Sequence, residues 1–386
     1  MSALGALFDR ARREVDDRLP SCQLALAAEG ELVGFETFGD ATNDTRYLLW
    51  SCTKAVVAGV VWQLMGEGLI DVERTVASYL PEFATNGKDV VTVEQVLLHT
   101  AGFPLAPMSP IRWGTSDGRR EAFSRWRLTW EPGTRFEYHP LAAWWVLAEL
   151  IVEVTGNDYR DEVRRRIAEP LGLHSLQLGV PEDEQGDIAE LSVVGERATE
   201  AEYRNAGVFS ASPPARGNTS PPARGNTSPL GVEVTPSLIL SLGVPAAKAV
   251  GIPGGGAVAT AADLALYYQA LLHNPGGLWS DDVLVDVTGV IRNTFPDVPK
   301  WGMPANRSRG VVVRGDHDLA HWMMHFGPGT SPGTFGHDGA GGMIAWADPQ
   351  SGLSFCFLTN GMDANAVHEA IRCQDLARLA AACGSE

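Results

Sequence analysis

The pattern of apolar and polar residues predicts short strands near both ends of the chain. In "CQLALAAEGELVGFETFG", two apolar runs flank Glu29-Gly30, an arrangement typical of a β-hairpin. "GGMIAWADPQSGLSFCFLTNGM" has the same form, with its turn at 348–352. Helical patterns precede the first hairpin ("MSALGALFDRARREVDDRL") and follow the second ("ANAVHEAIRCQDLARLAAAC").

The middle of the chain is predominantly helical in pattern. "PLAAWWVLAELIVEVTG" and "DLALYYQALLHN" both repeat apolar residues with the period of a helix. Strands at both ends with helices between them predict an α+β fold, in which an antiparallel β-sheet is flanked by N- and C-terminal helices and carries a large, mostly helical insertion. We expect one domain over 1–386, with an α/β subdomain at 1–74 and 286–386 and a mainly helical subdomain at 75–285.

One internal repeat interrupts the helical region. "SPPARGNT" occupies 212–219 and recurs at 220–227. Two copies are too few for a solenoid, and their proline and glycine density predicts a surface loop or a disordered segment over 210–230.

Composition and charge narrow the class of protein. A formal net charge of −17 disfavours nucleic acids and anionic membranes as partners. The longest apolar stretches are interrupted too soon to span a bilayer. The five cysteines (22, 52, 356, 373 and 383) show no paired spacing, which favours a reducing compartment. Since the first helical pattern lacks the apolar core of a signal peptide, we expect a cytoplasmic protein.

The stretch "YLLWSCTKAVVAGVVWQLMGEG" (47–68) contains the first candidate chemistry, Lys54 three positions after Ser51. With 21 serines and four lysines, chance alone predicts about 0.2 such Ser-x-x-Lys spacings. The apolar run that follows predicts a buried helix, on which residues three apart share a face. A partly desolvated amine has a lowered pKa and could activate the serine. The alternative is a serine N-cap followed by a lysine that reaches solvent.

Three other stretches carry candidate functional residues. "GTRFEYHPLAAWWVLAELI" places Tyr138 just before an apolar helix, and "VEQVLLHTAGFP" ends a helix at His99. "TFGHDGAGGMIAWADP" places His337, Asp338 and Gly339 before a strand, where glycines allow close backbone approach to a ligand. Taken singly, a core tyrosine, a helix C-cap and a glycine turn are the alternatives.

Together, in this order, these stretches resemble the serine hydrolases with a β-lactamase-type fold: class C β-lactamases, family VIII carboxylesterases and D-specific peptidases. The family pattern is Ser-x-x-Lys at a helix start, then Tyr-x-Asn, then Lys/His-Thr-Gly leading into a strand. "LLHTAGFP" and "GGGAVATAADLALYYQALL" are similar to two further family stretches. The resemblance covers roughly 15–375.

The resemblance implies a role for each site residue. Ser51 would attack the acyl carbonyl, and Lys54, with Tyr138 as phenolate or proton relay, would move the proton. Which of the two is the base stays open. The backbone N–H groups of Ser51 and Ala340 would form the oxyanion hole. No metal or other cofactor is expected.

Two departures from the family pattern bear on the substrate. Pro140 replaces the asparagine of the second motif, and His337 and Asp338 stand where β-lactamases carry lysine and threonine. With Gly339, these residues are the candidate substrate-binding positions. Proline offers no side-chain hydrogen bond, and a mostly neutral histidine beside an aspartate is a poor anion site.

Two other motifs are rejected as catalytic or metal sites. "GTSPG" (329–333) matches the Gly-x-Ser-x-Gly nucleophile pattern, but Pro332 lacks the N–H that the residue after the serine must supply. His317, His321 and His325 have helical i, i+4, i+8 spacing, yet the glutamate of the zinc-protease motif is missing. We expect these histidines to line the cleft or the surface.

The favoured function is a serine esterase acting on small neutral or aromatic esters through a Ser51 acyl-enzyme, with a small-molecule ester as its partner. A β-lactamase or amide or D-peptide hydrolase is the first alternative. An acyltransferase that uses the same acyl-enzyme is the second.

Overall fold

The structure is a computed structural model that describes residues 2–205, 240, 242–300, 302–317 and 319–385. The predicted loop at 210–230, with its duplicated octapeptide, lies outside the described residues. Among the residues that are described, no helix is long and apolar enough to cross a membrane.

An antiparallel six-stranded sheet organises the fold, in the order β2-β1-β12-β11-β10-β9. Its strands are β1 Ser21–Ala28, β2 Glu31–Gly39, β9 Val312–Val313, β10 Phe335–Gly336, β11 Ile344–Asp348 and β12 Leu353–Thr359. The shorter strands outside it are β3 Tyr47–Leu48, β4 Gln177–Leu178, β5 Ser192–Val194, β6 Ala257–Ala259, β7 Pro296–Asp297, β8 Met303–Pro304 and β13 Gly361–Asp363.

Both predicted hairpins are present in the sheet. The first turns at Glu29 and Gly30, which both have positive φ (51° and 82°), the backbone twist that two-residue hairpin turns require. β1 then pairs with β12 along its length, from Cys22 opposite Thr359 to Ala28 opposite Leu353. The sheet therefore joins the two ends of the chain, as the sequence predicts.

Helices cover both faces of this sheet and form the rest of the fold. Their bounds are α1 Ala3–Asp17, α2 Thr53–Gly66, α3 Val93–Leu97, α4 Ser116–Arg125, α5 Ala142–Thr155, α6 Tyr159–Val163, α7 Glu169–Leu171, α8 Glu200–Asn205, α9 Pro245–Val250, α10 Ala261–His273, α11 Asp281–Gly289 and α12 Ala366–Ala382. A π-helical turn, Arg164–Ala168, joins α6 to α7.

The alternation of residues along β1 divides the core in two. Leu24 and Leu26 pack with the terminal helices α1 and α12, whereas Ala25 and Ala27 face the larger core that contains α2, α5 and α10. This is the predicted α+β architecture. The helix α10, although it lies within 75–285, packs on the sheet; in packing it belongs with the strands, and the exact subdomain boundaries stay a prediction.

The core on the terminal-helix side should be sensitive to truncation. We expect Phe357→Ala to lower the free energy of unfolding by about 3–5 kcal/mol, because Phe357 on β12 is fully buried and its loss leaves a cavity. Leu32→Ala, at a residue that is 39% exposed on β2, is the matched control and should cost less than about 1 kcal/mol. Urea denaturation followed by circular dichroism measures both; equal losses would contradict the assigned packing.

Candidate active site

The nucleophile turn around Ser51 is fixed by pairing with β6, which follows a glycine-rich segment. β3 pairs with β6, and the Leu49 N–H donates to the Ala257 carbonyl at 2.8 Å. The Thr53 hydroxyl accepts the Ala257 N–H at 3.1 Å. Between them, Trp50 has φ 47°, a left-handed conformation that costs a non-glycine residue about 1–3 kcal/mol and is concentrated at functional sites.

Ser51 itself lies in a short 3₁₀ turn, Trp50–Cys52, that leads directly into α2. The N-cap of α2 is Cys52, which makes no side-chain capping bond. Ser51 is partly exposed, while α2 is buried from Thr53 through Leu64. Ser51 is therefore not the helix N-cap that the alternative interpretation requires.

Lys54 lies fully buried beside the serine. Its Nζ is 3.0 Å from Ser51 Oγ and donates a second hydrogen bond to the Gly254 carbonyl. The nitrogen also lies 5.5 Å from the centre of the Trp144 ring. Because the amine is enclosed and held by Gly254, it cannot reach solvent, and the alternative of a solvent-reaching lysine is wrong.

Tyr138 completes the contacts to the nucleophile. Its Oη donates to Ser51 Oγ at 3.0 Å, and its ring centre lies 5.2 Å from Lys54 Nζ. Ser51 Oγ is thus the shared partner of an amine and a phenol, the arrangement needed to remove and return a proton during acyl transfer.

The segment that ends at His99 packs against Tyr138 and helps to hold it in place. The His99 and Tyr138 ring centres are 4.9 Å apart, and His99 Nδ1 accepts the backbone N–H of His139 at 3.0 Å. His139 in turn accepts the Phe103 N–H at Nε2 and lies 2.6 Å from the Glu137 carbonyl at Nδ1. Burial lowers the pKa of both histidines, to about 3 for His139, so both are neutral supports.

Burial also sets the protonation of the catalytic pair. Desolvation lowers the pKa of the Lys54 amine well below its ordinary value, and the nearby Arg307 lowers it further. Desolvation raises the pKa of the Tyr138 phenol above its ordinary value. Both shifts favour the neutral forms, a neutral amine being a base and a neutral phenol a proton donor.

The third motif packs directly against the nucleophile turn. The Cys52 thiol donates to the His337 carbonyl at 3.2 Å. A Cβ at Gly339 would lie 2.7 Å from the Leu49 carbonyl oxygen, so only glycine fits. Ala340 follows this contact directly in the chain and is partly exposed. Its role in the oxyanion hole stays a prediction.

The position of His337 does not favour the substrate-binding role predicted for it. It is 1% exposed, its Nε2 accepts a hydrogen bond from Arg307 at 3.0 Å, and its Nδ1 lies 2.8 Å from the Asp338 carbonyl. Burial lowers its pKa to about 4, so the ring is neutral. With both nitrogens occupied, His337 has no polar atom to offer a substrate in this arrangement.

Asp338 and Pro140 lie at partly exposed positions. Burial opposes ionisation of Asp338, but Lys300, His337 and His325 outweigh it and hold the pKa of that carboxyl well below its ordinary value. His325 Nε2 lies 3.8 Å from the carboxylate. The Pro140 carbonyl packs against Gly254, where a Cβ would lie 2.6 Å away.

The two rejected motifs have structural explanations. Ser331 is buried, its hydroxyl donates to Asp348, and its N–H donates to the same carboxylate at 2.9 Å. The three histidines do not lie on one α-helix, because Ala320–His325 is a 3₁₀ helix and His317 precedes it. With three residues per turn, positions four apart do not share one face.

The geometry agrees with a family assignment. A sequence profile of the beta-lactamase family matches residues 8–378. The chain belongs to the beta-lactamase family. Among its relatives, Esterase/beta-lactamase LipL of Mycobacterium tuberculosis is 32% identical over 325 residues, which cover 82% of this chain and 70% of that protein.

Solved structures of this beta-lactamase family extend the likeness to the whole fold. A penicillin-binding protein homologue from Caulobacter crescentus has a TM-score of 0.76 and 25% identity, with 99% of this chain and 98% of that chain covered. A family VIII carboxylesterase has a TM-score of 0.75 and 25% identity, with coverages of 98% and 97%. Both support the predicted resemblance.

Sequence reasoning missed Arg307 and His139 as supports of the site. Neither belongs to a motif: Arg307 lies in "ANRSRG", one of 26 arginines, and reaches the site only through the fold. His139 stands beside Tyr138 in the chain, and that adjacency is the one signal available. Gly254, by contrast, lies within the glycine run already noted for its family resemblance.

The first test concerns the nucleophile. Ser51→Ala should lower kcat/KM for an activated ester by at least ~10³-fold, because the acyl-enzyme cannot form. Ser331→Ala, the matched control, should leave kcat/KM near the wild-type value, since that hydroxyl serves only Asp348. Mass spectrometry after treatment with a fluorophosphonate should locate the label on Ser51; label on Ser331 would refute the assignment.

The second test concerns the amine. Lys54→Arg keeps a positive charge but cannot give up its proton at working pH. We expect kcat/KM of Lys54→Arg to fall to within about tenfold of that of Lys54→Ala, both far below wild type. Substantial activity in the arginine variant would show that Lys54 acts only as a fixed charge.

Proposed function

We propose that this protein hydrolyses small neutral or aromatic carboxylic esters through an acyl-enzyme on Ser51. It is a serine hydrolase of the carboxylesterase type. One observation carries the proposal: Lys54 Nζ and Tyr138 Oη both lie 3.0 Å from the hydroxyl oxygen of Ser51, a partly exposed residue. The names of the relatives, an esterase/β-lactamase and a family VIII carboxylesterase, point to the same chemistry.

Lys54 is the general base in this mechanism. It takes the Ser51 proton as the hydroxyl attacks the acyl carbonyl, while the hydrogen bond to Gly254 orients its nitrogen. Tyr138 relays the proton to the leaving alcohol. The backbone N–H groups of Ser51 and Ala340 stabilise the oxyanion, and water then hydrolyses the acyl-enzyme.

The surroundings of the site favour neutral substrates. Pro140 offers a substrate no hydrogen bond from its side chain, and His337 is buried with both nitrogens occupied. Asp338 is held as a carboxylate, which repels an anionic group. The positions at which a β-lactamase would hold the carboxylate of an antibiotic are therefore unsuited to an anion.

The proposed setting is the cytoplasm, with a small-molecule ester as the partner and neither nucleic acid nor membrane involved. Cys22, Cys52, Cys356 and Cys373 are free and buried. Free thiols are typical of a reducing compartment, and the net charge of −17 repels polyanions.

The preference for esters over β-lactams is directly testable. Each lost polar contact to a substrate costs about 1–3 kcal/mol, so two losses should make kcat/KM for a short-chain p-nitrophenyl ester at least ~30-fold higher than that for a chromogenic cephalosporin. Both assays run beside Ser51→Ala, which sets the background. Cephalosporin turnover equal to that of the best ester would favour a β-lactamase, and acyl transfer to an added alcohol outpacing hydrolysis would favour an acyltransferase.

A further inference from the structure

Arg307 is a buried guanidinium next to the active-site residues Tyr138 and His337. Its side chain is 3% exposed, and Nη1 donates to His337 Nε2 at 3.0 Å. Within the described part of the chain, no carboxylate lies within 4.0 Å of it, and its Nε has no hydrogen-bond partner. Burying a guanidinium without a carboxylate partner is unfavourable for folding. Cation–π contacts with the Phe136 and Tyr138 rings, whose centres lie 5.6 Å and 5.1 Å away, offset only part of that cost.

The position of Arg307 relates it to both proton-transfer groups. Its guanidinium carbon lies 5.1 Å from the centre of the Tyr138 ring, and Lys54 Nζ lies 5.2 Å from the same centre. The two cationic centres are therefore within about 10 Å of each other, which is the Debye length at 0.1 M salt, and burial weakens the screening further.

We propose that Arg307 is a positioning residue: its permanent positive charge keeps the Ser51–Lys54–Tyr138 group poised for proton transfer, and its N–H holds His337 in one neutral tautomer. The proposal rests on the proposed function in that it assigns Arg307 to the same acyl transfer. At 3% exposure the guanidinium does not reach a substrate, so it acts through Lys54, Tyr138 and His337.

Other charged and titratable groups face Lys54 and Arg307, and their charges also influence proton transfer in the site. They are Cys52 from the nucleophile turn, His99 from the end of α3, Tyr138 from the segment before α5, Asp297 from β7, and His337 and Asp338 from the third motif. Asp338 opposes Arg307, because a carboxylate favours the protonated amine. Burial raises the pKa of Asp297, which faces Arg307.

The sign of the effect follows from the charges. After burial, Arg307 is the next contribution that lowers the pKa of Lys54, so removing its charge should raise that pKa. Activity requires the unprotonated base, and the acid limb of kcat/KM against pH should therefore move to higher pH. Coulomb's law at the effective dielectric constant of protein sites gives a shift of about one pH unit for charges ~10 Å apart.

The direction does not depend on which group is the base. Burial raises the pKa of Tyr138, and Arg307 opposes that rise. Removing the guanidinium would raise the pKa of a phenolate base as well. Whether Lys54 or Tyr138 is the base, the acid limb of kcat/KM moves to higher pH. The prediction therefore tests Arg307 and does not depend on the identity of the base.

The experiment compares variants that separate charge from packing. Arg307→Gln keeps an N–H for His337 but lacks the charge, and Arg307→Met lacks both. Arg309→Gln is the matched control, because Arg309 pairs with Glu94 and Asp286 instead. Circular dichroism first establishes which variants fold, and kcat/KM for a p-nitrophenyl ester is then measured against pH.

We expect Arg307→Gln and Arg307→Met to raise the midpoint of the acid limb by about one pH unit. Arg309→Gln should keep the wild-type midpoint. An unshifted midpoint in a folded neutral variant of Arg307, or an equal shift in Arg309→Gln, would overturn the proposal. If Arg307→Met fails to fold, Arg307→Gln and its control Arg309→Gln decide the question.

A second readout separates this proposal from the proposed function. The rate at which a fluorophosphonate labels Ser51 reports the activation of the hydroxyl without requiring ester turnover. If the wild type hydrolyses no ester but its labelling rate shows the same pH shift in Arg307→Gln, the ester function fails and the role of Arg307 stands. If the wild type turns over esters but its labelling profile is identical to that of Arg307→Gln, the ester function stands and the role of Arg307 fails.

Discussion

The enclosure of the Lys54 amine is the constraint on which the site depends. An amine in water is protonated and cannot take a proton from serine, so the fold must remove it from water. Helix α2 does so by being buried from Thr53 through Leu64, and Trp144 closes one side. The Gly254 carbonyl then supplies the one polar contact that such an enclosed nitrogen needs besides Ser51.

The site also joins two parts of the fold, the region around β6 and the large sheet. Ser51 stands on a turn tied to β6 and Lys54 on the first turn of α2, whereas the third motif leads into the large sheet. The two meet through the Cys52 thiol on the His337 carbonyl and through the missing side chain of Gly339 against Leu49. A bulkier residue at 339 would push the third motif away from the nucleophile turn, and the position of Ala340 relative to Ser51 would change with it.

The sequence is informative where chemistry and periodicity are local. Both hairpins, the terminal helices, and the residues Ser51, Lys54 and Tyr138 follow from strand alternation, turn residues and motif order. The packing of α10 on the sheet was not accessible in this way, because helical period identifies an apolar face but not the surface that covers it. His337 illustrates the same limit: the motif gives its position, but only the tertiary contact with Arg307 shows that both ring nitrogens are occupied.

The role proposed for Arg307 could not be predicted from local sequence features. Lys54 and Tyr138 must each be able to gain or lose a proton, so neither can serve as a constant charge during the reaction. A guanidinium keeps its charge at any working pH, and its place beside the Tyr138 ring puts that charge near both groups. The site thus separates two tasks among different residues: Lys54 and Tyr138 move the proton, and Arg307 maintains the field in which the proton moves. Because that field acts through space, no spacing rule along the chain could have indicated it.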